Sequence, residues 1–138
     1  MDNATNALVP ALLPLDEVSA EAARLPIPEI ASFLRKHLGG SMTAYISGVN
    51  DPKMVGRWIA GRSKPRPQPQ SRLRESYQAA RLLVNAYGDE TARAWFSGSN
   101  AQLDDQAPAY VLRKARSWED LRLIVPAARA FVGDGRLH

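Results

Sequence analysis

Apolar residues recur along the chain at a spacing near that of a helix, in short blocks punctuated by glycine and proline. Ile30, Phe33, Leu34 and Leu38 line one face of a predicted helix over 29–38, opened by Pro26 and Pro28 and ended by Gly39 and Gly40. Ser41 is placed to cap a second, short helix over 42–47, which Gly48 terminates, and Val49 falls in the turn as a residue to bury. Asp51 offers a cap carboxylate, and Pro52 takes the first helical position, where a missing N–H costs nothing. The third helix is expected over 53–60, stopped by Gly61. Met54, Val55, Trp58 and Ile59 share one of its faces, and Lys53, Gly56, Arg57 and Ala60 the other.

Pro65, Pro67 and Pro69 alternate with Arg66 and Gln68, the pattern of a stiff, extended basic linker. The longest helix is expected over 71–87, with Leu73, Tyr77, Ala80, Leu83, Val84 and Tyr87 turned inward. A helix over 91–96 with Asp89 as its cap follows, then a turn at Gly98, Ser99 and Asn100, and a short helix opened by Pro108. Ser117 and Asp120 form a capping box before a final apolar-periodic stretch, which Pro126 is expected to kink or split. No run alternates as a strand would. The chain reads as all-α, with a flexible or extended arm over 1–25 (a short helix over 16–24 being the alternative), a helix–turn–helix-like domain over 26–68 and a small helical domain over 69–138.

Charge changes this picture more than composition does. The net charge is +4 over 138 residues, but residues 1–50 carry −2, residues 51–74 carry +6 and residues 75–138 are neutral. All the excess lies in one window, as in a local footprint for a polyanion. Two short helices joined by a glycine turn, the second with a basic outer face, match a helix–turn–helix. The turn is one residue longer than the commonest form. Lys53 and Arg57 then project together toward a major groove, Asn50 sits near phosphates or base edges, and Arg62, Lys64 and Arg66 follow the backbone.

Other chemistry is thin. With no cysteine there is no disulfide framework, thiolate nucleophile, iron–sulfur cluster or cysteine-ligated zinc. His37 and His138 do not make a metal site, and no nucleophile elbow or phosphate-cradling glycine loop occurs. Trp58, Trp95 and Trp118 are expected as core or interface anchors. No cation precedes Arg24 and prolines interrupt the first apolar run, so no signal peptide is expected, and no stretch is long and apolar enough to span a membrane. These readings point to a cytoplasmic protein that is not an enzyme and holds no cofactor or metal.

The run Leu38-Gly39, Met42-Thr43-Ala44-Tyr45, Gly48-Val49, Val55, Arg57-Trp58 and Gly61 resembles the helix–turn–helix half of the Xre/MbcA/ParS-type antitoxins. Trp95-Phe96, Gly98, Asn100, Leu103, Pro108 and Leu112, closed by Ala127-Ala128-Arg129-Ala130-Phe131, are similar to the toxin-binding domain of that family. The resemblance covers roughly residues 30–132. It implies an antitoxin that forms an oligomer, in the simplest case a homodimer, and represses its own operon. Its partner would be a RES-domain toxin that consumes NAD, whose pocket it covers with its C-terminal part. Carried onto this chain, Gly48, Val49, Trp58, Trp95, Asn100, Leu103, Pro108 and Leu112 build the fold. Arg129 and the tail with Arg136, Leu137 and His138 face the toxin, where a cation suits a site shaped for NAD phosphates. The chain departs from the family at Asp104-Asp105, where a glycine-containing turn is usual, and at Pro126. A stand-alone helix–turn–helix transcriptional regulator, without a toxin partner, is the alternative.

Overall fold

The computed structural model describes the backbone of residues 13–137 and the side chains of residues 18–133. Nine α-helices are described: α1 (Leu13–Arg24), α2 (Ile27–Leu38), α3 (Gly40–Ser47), α4 (Pro52–Ile59), α5 (Pro67–Tyr87), α6 (Asp89–Ser97), α7 (Pro108–Lys114), α8 (Trp118–Leu121) and α9 (Ile124–Leu137). A 3-10 turn, Ala101–Leu103, lies between α6 and α7, and no strand is present among the described residues. The fold is all-α.

The long helix α5 is the organising element, because α1, α2, α3, α6, α7 and α9 all pack on it. Its 21 residues present Leu73, Tyr77, Ala80 and Leu83 at helical spacing, each buried. Ile30, Ala31 and Leu34 of α2 meet this stripe from one side, and Ile124, Val125 and Ala128 of α9 close it from the other. One continuous apolar core results. Phe33 sets its ring edge-on to Tyr77, with centroids 5.1 Å apart, and Trp95 does the same to Phe96 at 5.0 Å.

Several expectations are corrected. Residues 13–24 are not extended: they form α1, the helical alternative expected over 16–24 and begun three residues earlier, which buries Val18 and Ala22 on the core, while residues 1–12 lie outside the described part of the chain. The linker expected at Pro65–Pro69 is helical from Pro67, because Pro67 and Pro69 fall in the first turn of α5, where a residue without an N–H forfeits no intrahelical hydrogen bond. Helix α3 starts at Gly40, without a Ser41 cap; Gly39 is its N-cap, and Thr43 Oγ1 bonds to the Gly39 carbonyl at 2.8 Å. Tyr87 is half-exposed, not inward, and Val49 is only half-buried. The box at Ser117 is not made. Ser117 makes no cap bond, and the Asp120 carboxylate instead accepts the Arg116 N–H at 3.0 Å. Pro126 does split the final stretch, since α8 ends at Leu121 and Pro126 sits in the first turn of α9.

Candidate nucleic-acid interface and partner-facing surface

Helices α3 and α4 are eight residues each and are joined by the turn Gly48–Asp51. Gly48 leaves α3 at φ +95°, ψ 7°, in the left-handed region where glycine carries no Cβ penalty. The Gly48 N–H then reaches the Tyr45 carbonyl, and the Val49 N–H the Ala44 carbonyl, each at 3.1 Å, which is the Schellman closure of a helix. Asp51 opens α4 by accepting the Lys53 N–H at 2.9 Å, with Pro52 at the first position. The same closure ends α4: Gly61 is at φ +74°, its N–H goes to Trp58 and that of Arg62 to Arg57. Val55 and Trp58, the latter 2% exposed, anchor α4 against α2 and α3.

That anchoring leaves the other face of α4 in solvent. Lys53 and Arg57 are exposed and make no side-chain hydrogen bond or ion pair among the described residues. A Cβ added at Gly56 between them would meet only the tip of Arg35, at 3.9 Å, so nothing in the fold itself requires glycine there. Arg62, Lys64 and Arg66 are exposed just beyond. Arg35, on α2, therefore adds a cation beside Gly56 that the linear charge window does not contain.

The other two arginines of that window are used differently. Arg72 donates from Nη1 to the Ser47 carbonyl at 3.0 Å and from Nη2 to the Ala115 carbonyl at 2.6 Å, closing the ends of α3 and α7. Arg74 Nη1 donates to the carbonyls of Ala22 and Leu25 at the end of α1. Cations at helix C-termini also oppose the negative end of the dipole. Burial first, and then the nearby charge of Arg113, lower the Arg72 pKa. Asn50 is exposed, but its Oδ1 accepts from Arg113 Nη2 at 2.7 Å, while Arg113 Nη1 donates to Tyr45 and Val49. The Asn50 amide N–H groups and one lone pair of Oδ1 stay available to a ligand. Arg113 also lies 4.8 Å from the Tyr45 ring centroid. No local pattern announces this clamp, because its two sides are 63 to 68 residues apart.

In the second half of the chain, Trp95, Leu103, Pro108 and Leu112 are buried. Asn100 Oδ1 accepts the Gln102 N–H at 2.8 Å and its backbone carbonyl accepts from Asp105, which fixes the 3-10 turn. Asp104 and Asp105, at φ 56° and 63°, both occupy the left-handed region. Arg129 is exposed on α9; Arg136 and Leu137 lie in its last turn with side chains outside the described part, and His138 is outside it altogether. Phe131, 42% exposed, rests edge-on against Tyr87 with centroids 5.6 Å apart, beside a hollow of about 370 Å³ lined by Thr91, Ala94, Trp95 and Asn100. Arg129 and Phe131 thus share a helix with the core residues Ala128 and Val132. No helix of the described residues is long and apolar enough to cross a membrane. No family model, no curated protein and no solved structure matches the chain.

Proposed function

We propose that the chain is a DNA-binding antitoxin that reads its own operator with α4 and blocks an NAD-consuming RES-domain toxin with its C-terminal part. The DNA half of this reading rests on one observation: Lys53 and Arg57 stand uncommitted on the outer face of a short helix whose inner face is locked by Val55 and Trp58. Their spacing of four residues sets both guanidinium and ammonium within reach of one groove. Gly56 between them keeps the backbone bare for close approach, and Arg35, Arg62, Lys64 and Arg66 supply flanking phosphate contacts. The partner half rests on the resemblance of residues 95–131 and on the exposed Phe131 and Arg129 of α9.

Footprinting on the upstream region of its own gene tests the DNA reading. Lys53→Ala with Arg57→Ala is expected to weaken specific binding by about 1–3 kcal/mol per lost base contact and to flatten the salt dependence. An unchanged footprint and salt slope would remove the assignment. For the partner, co-expression with the neighbouring gene product, pull-down and an NAD-depletion assay are decisive. The variant to use is Arg129→Glu, not a truncation, because Val132 is buried and Phe131 packs on Tyr87, so deletion from 129 would expose the core. A neighbour that is neither bound nor neutralised leaves a stand-alone regulator.

A further inference from the structure

A cavity of about 420 Å³ lies between α1, the first half of α5 and the segment from Ala115 to Leu121, and none of Asn50, Lys53 or Arg57 lines it. Its size is that of a small-molecule site. Ala22 and Ala23 of α1, Pro67 of α5, and Leu121 and Trp118 of α8 make apolar walls, and the Trp118 indole is 61% exposed. Glu75 lines it too. That residue is only 8% exposed, and its carboxyl has no hydrogen-bond or ion-pair partner among the described residues. A buried carboxyl without a partner is costly and calls for an explanation.

The cations around the cavity do not supply one. Arg72 engages the Ser47 and Ala115 carbonyls through its two Nη atoms and leaves its buried Nε without a partner, Arg74 is committed to the carbonyls of Ala22 and Leu25, and Arg116 is exposed; none of the three bonds to Glu75. Gln78 is partly engaged, its Oε1 accepting from Ser19 at 3.0 Å. Burial pushes the Glu75 carboxyl up to about 7, so both its forms are populated near neutrality. An ionised carboxyl only accepts hydrogen bonds, whereas a neutral one donates one and accepts another. A ring nitrogen beside an amino group answers both: with the ring nitrogen protonated it donates two hydrogen bonds to the ionised carboxyl, and with that nitrogen bare it accepts one from the neutral carboxyl and donates one to it. A simple ammonium answers only the ionised form, and an acid answers it worst. The apolar walls and the open indole face suit a flat ring.

We propose that this cavity is a binding site for an amino-substituted nitrogen heteroaromatic, with its N–C–NH2 edge on the Glu75 carboxyl and its ring against Trp118. The site is independent of the DNA reading, and either can fail alone. Isothermal titration of the full chain with 2-aminobenzimidazole tests it, with 2-methylbenzimidazole as the ring lacking the amino donor. The amino compound is expected to bind saturably at one site, and the methyl compound more weakly. Glu75→Gln, which keeps the shape but loses the carboxyl, should weaken the amino compound about ten- to hundredfold. Trp118→Ala, at an exposed position, should weaken both compounds. Absence of saturable binding, or equal affinity for the wild-type chain and Glu75→Gln, overturns the proposal. Should Glu75→Gln fail to fold, Trp118→Ala decides, and unchanged affinity in that variant overturns it as well.

Discussion

Five cations of the window 51–74 and the remaining two differ in everything but charge. Lys53, Arg57, Arg62, Lys64 and Arg66 stand in solvent, whereas Arg72 and Arg74 are half-buried and close the C-termini of α1, α3 and α7. In sequence the seven form one basic run. In the fold they are two populations, one oriented outward and one holding the scaffold. A footprint read from linear charge is therefore larger than the surface that presents it, and it also omits members contributed from elsewhere, here Arg35. The same comparison explains how the two halves of the chain are joined. Arg72 and Arg113 reach across to the α3 carbonyls, so the turn preceding α4 is held by residues that follow α4 in sequence.

The largest loss of stability is expected on removal of a scaffold arginine. Arg72→Met keeps the aliphatic stem but leaves the Ser47 and Ala115 carbonyls without their donor, and an unfilled buried acceptor is costly. We expect a loss of about 2–4 kcal/mol, read as a lower denaturant midpoint at unchanged slope. Should Arg72→Met unfold at the wild-type midpoint, the guanidinium is not holding α3 and the division into two populations fails.

How far the fold was legible follows from where its causes lie. The Asp51-Pro52 start of α4 and the glycine exits at Gly48 and Gly61 are local chemistry, and each was readable from a few adjacent residues. The start of α5 was not. Alternating prolines favour extended backbone, and only the fold decides otherwise, by burying Pro65 and letting Gln70 Nε2 bond to its carbonyl at 2.9 Å. Helix α1 was legible only as an alternative to an extended arm, for a related reason: it depends on burial of Val18 and Ala22 and on carbonyl caps from Arg74, 49 and 52 residues away. Of the candidate interface, the outward face of α4 was legible from periodicity, whereas the engagement of the Asn50 carbonyl by Arg113 and the approach of Arg35 to Gly56 are tertiary. The cavity over Glu75 left no sequence signal at all, since its lining comes from three separated segments.

A smaller effect, of opposite sign, is expected in the turn after the 3-10 segment. Asp104 and Asp105 hold left-handed backbone that a side chain disfavours, and both are exposed, so their carboxylates are not buried in any packing. Asp104→Gly and Asp105→Gly should each raise stability by about 0.5–1 kcal/mol, visible as a higher melting temperature. A lower melting temperature in both variants would mean that the aspartates, and not the backbone alone, set this turn.

The smallest expected change is the most informative about α4. Lys53 lies in the first turn of that helix, where the positive end of the dipole disfavours a cation, and Arg57 lies in the last turn, where the negative end favours one. Each effect is a few tenths of a kcal/mol at an exposed site, and the two oppose each other. Neither side chain is buried or bonded within the fold, so Lys53→Ala with Arg57→Ala should leave folding stability within about 0.5 kcal/mol of the wild type. Chemical denaturation of the double variant, run beside Arg72→Met, separates the two populations directly. If the double variant loses as much stability as Arg72→Met, the α4 cations belong to the scaffold and the outer face of that helix has no claim to be a reading surface.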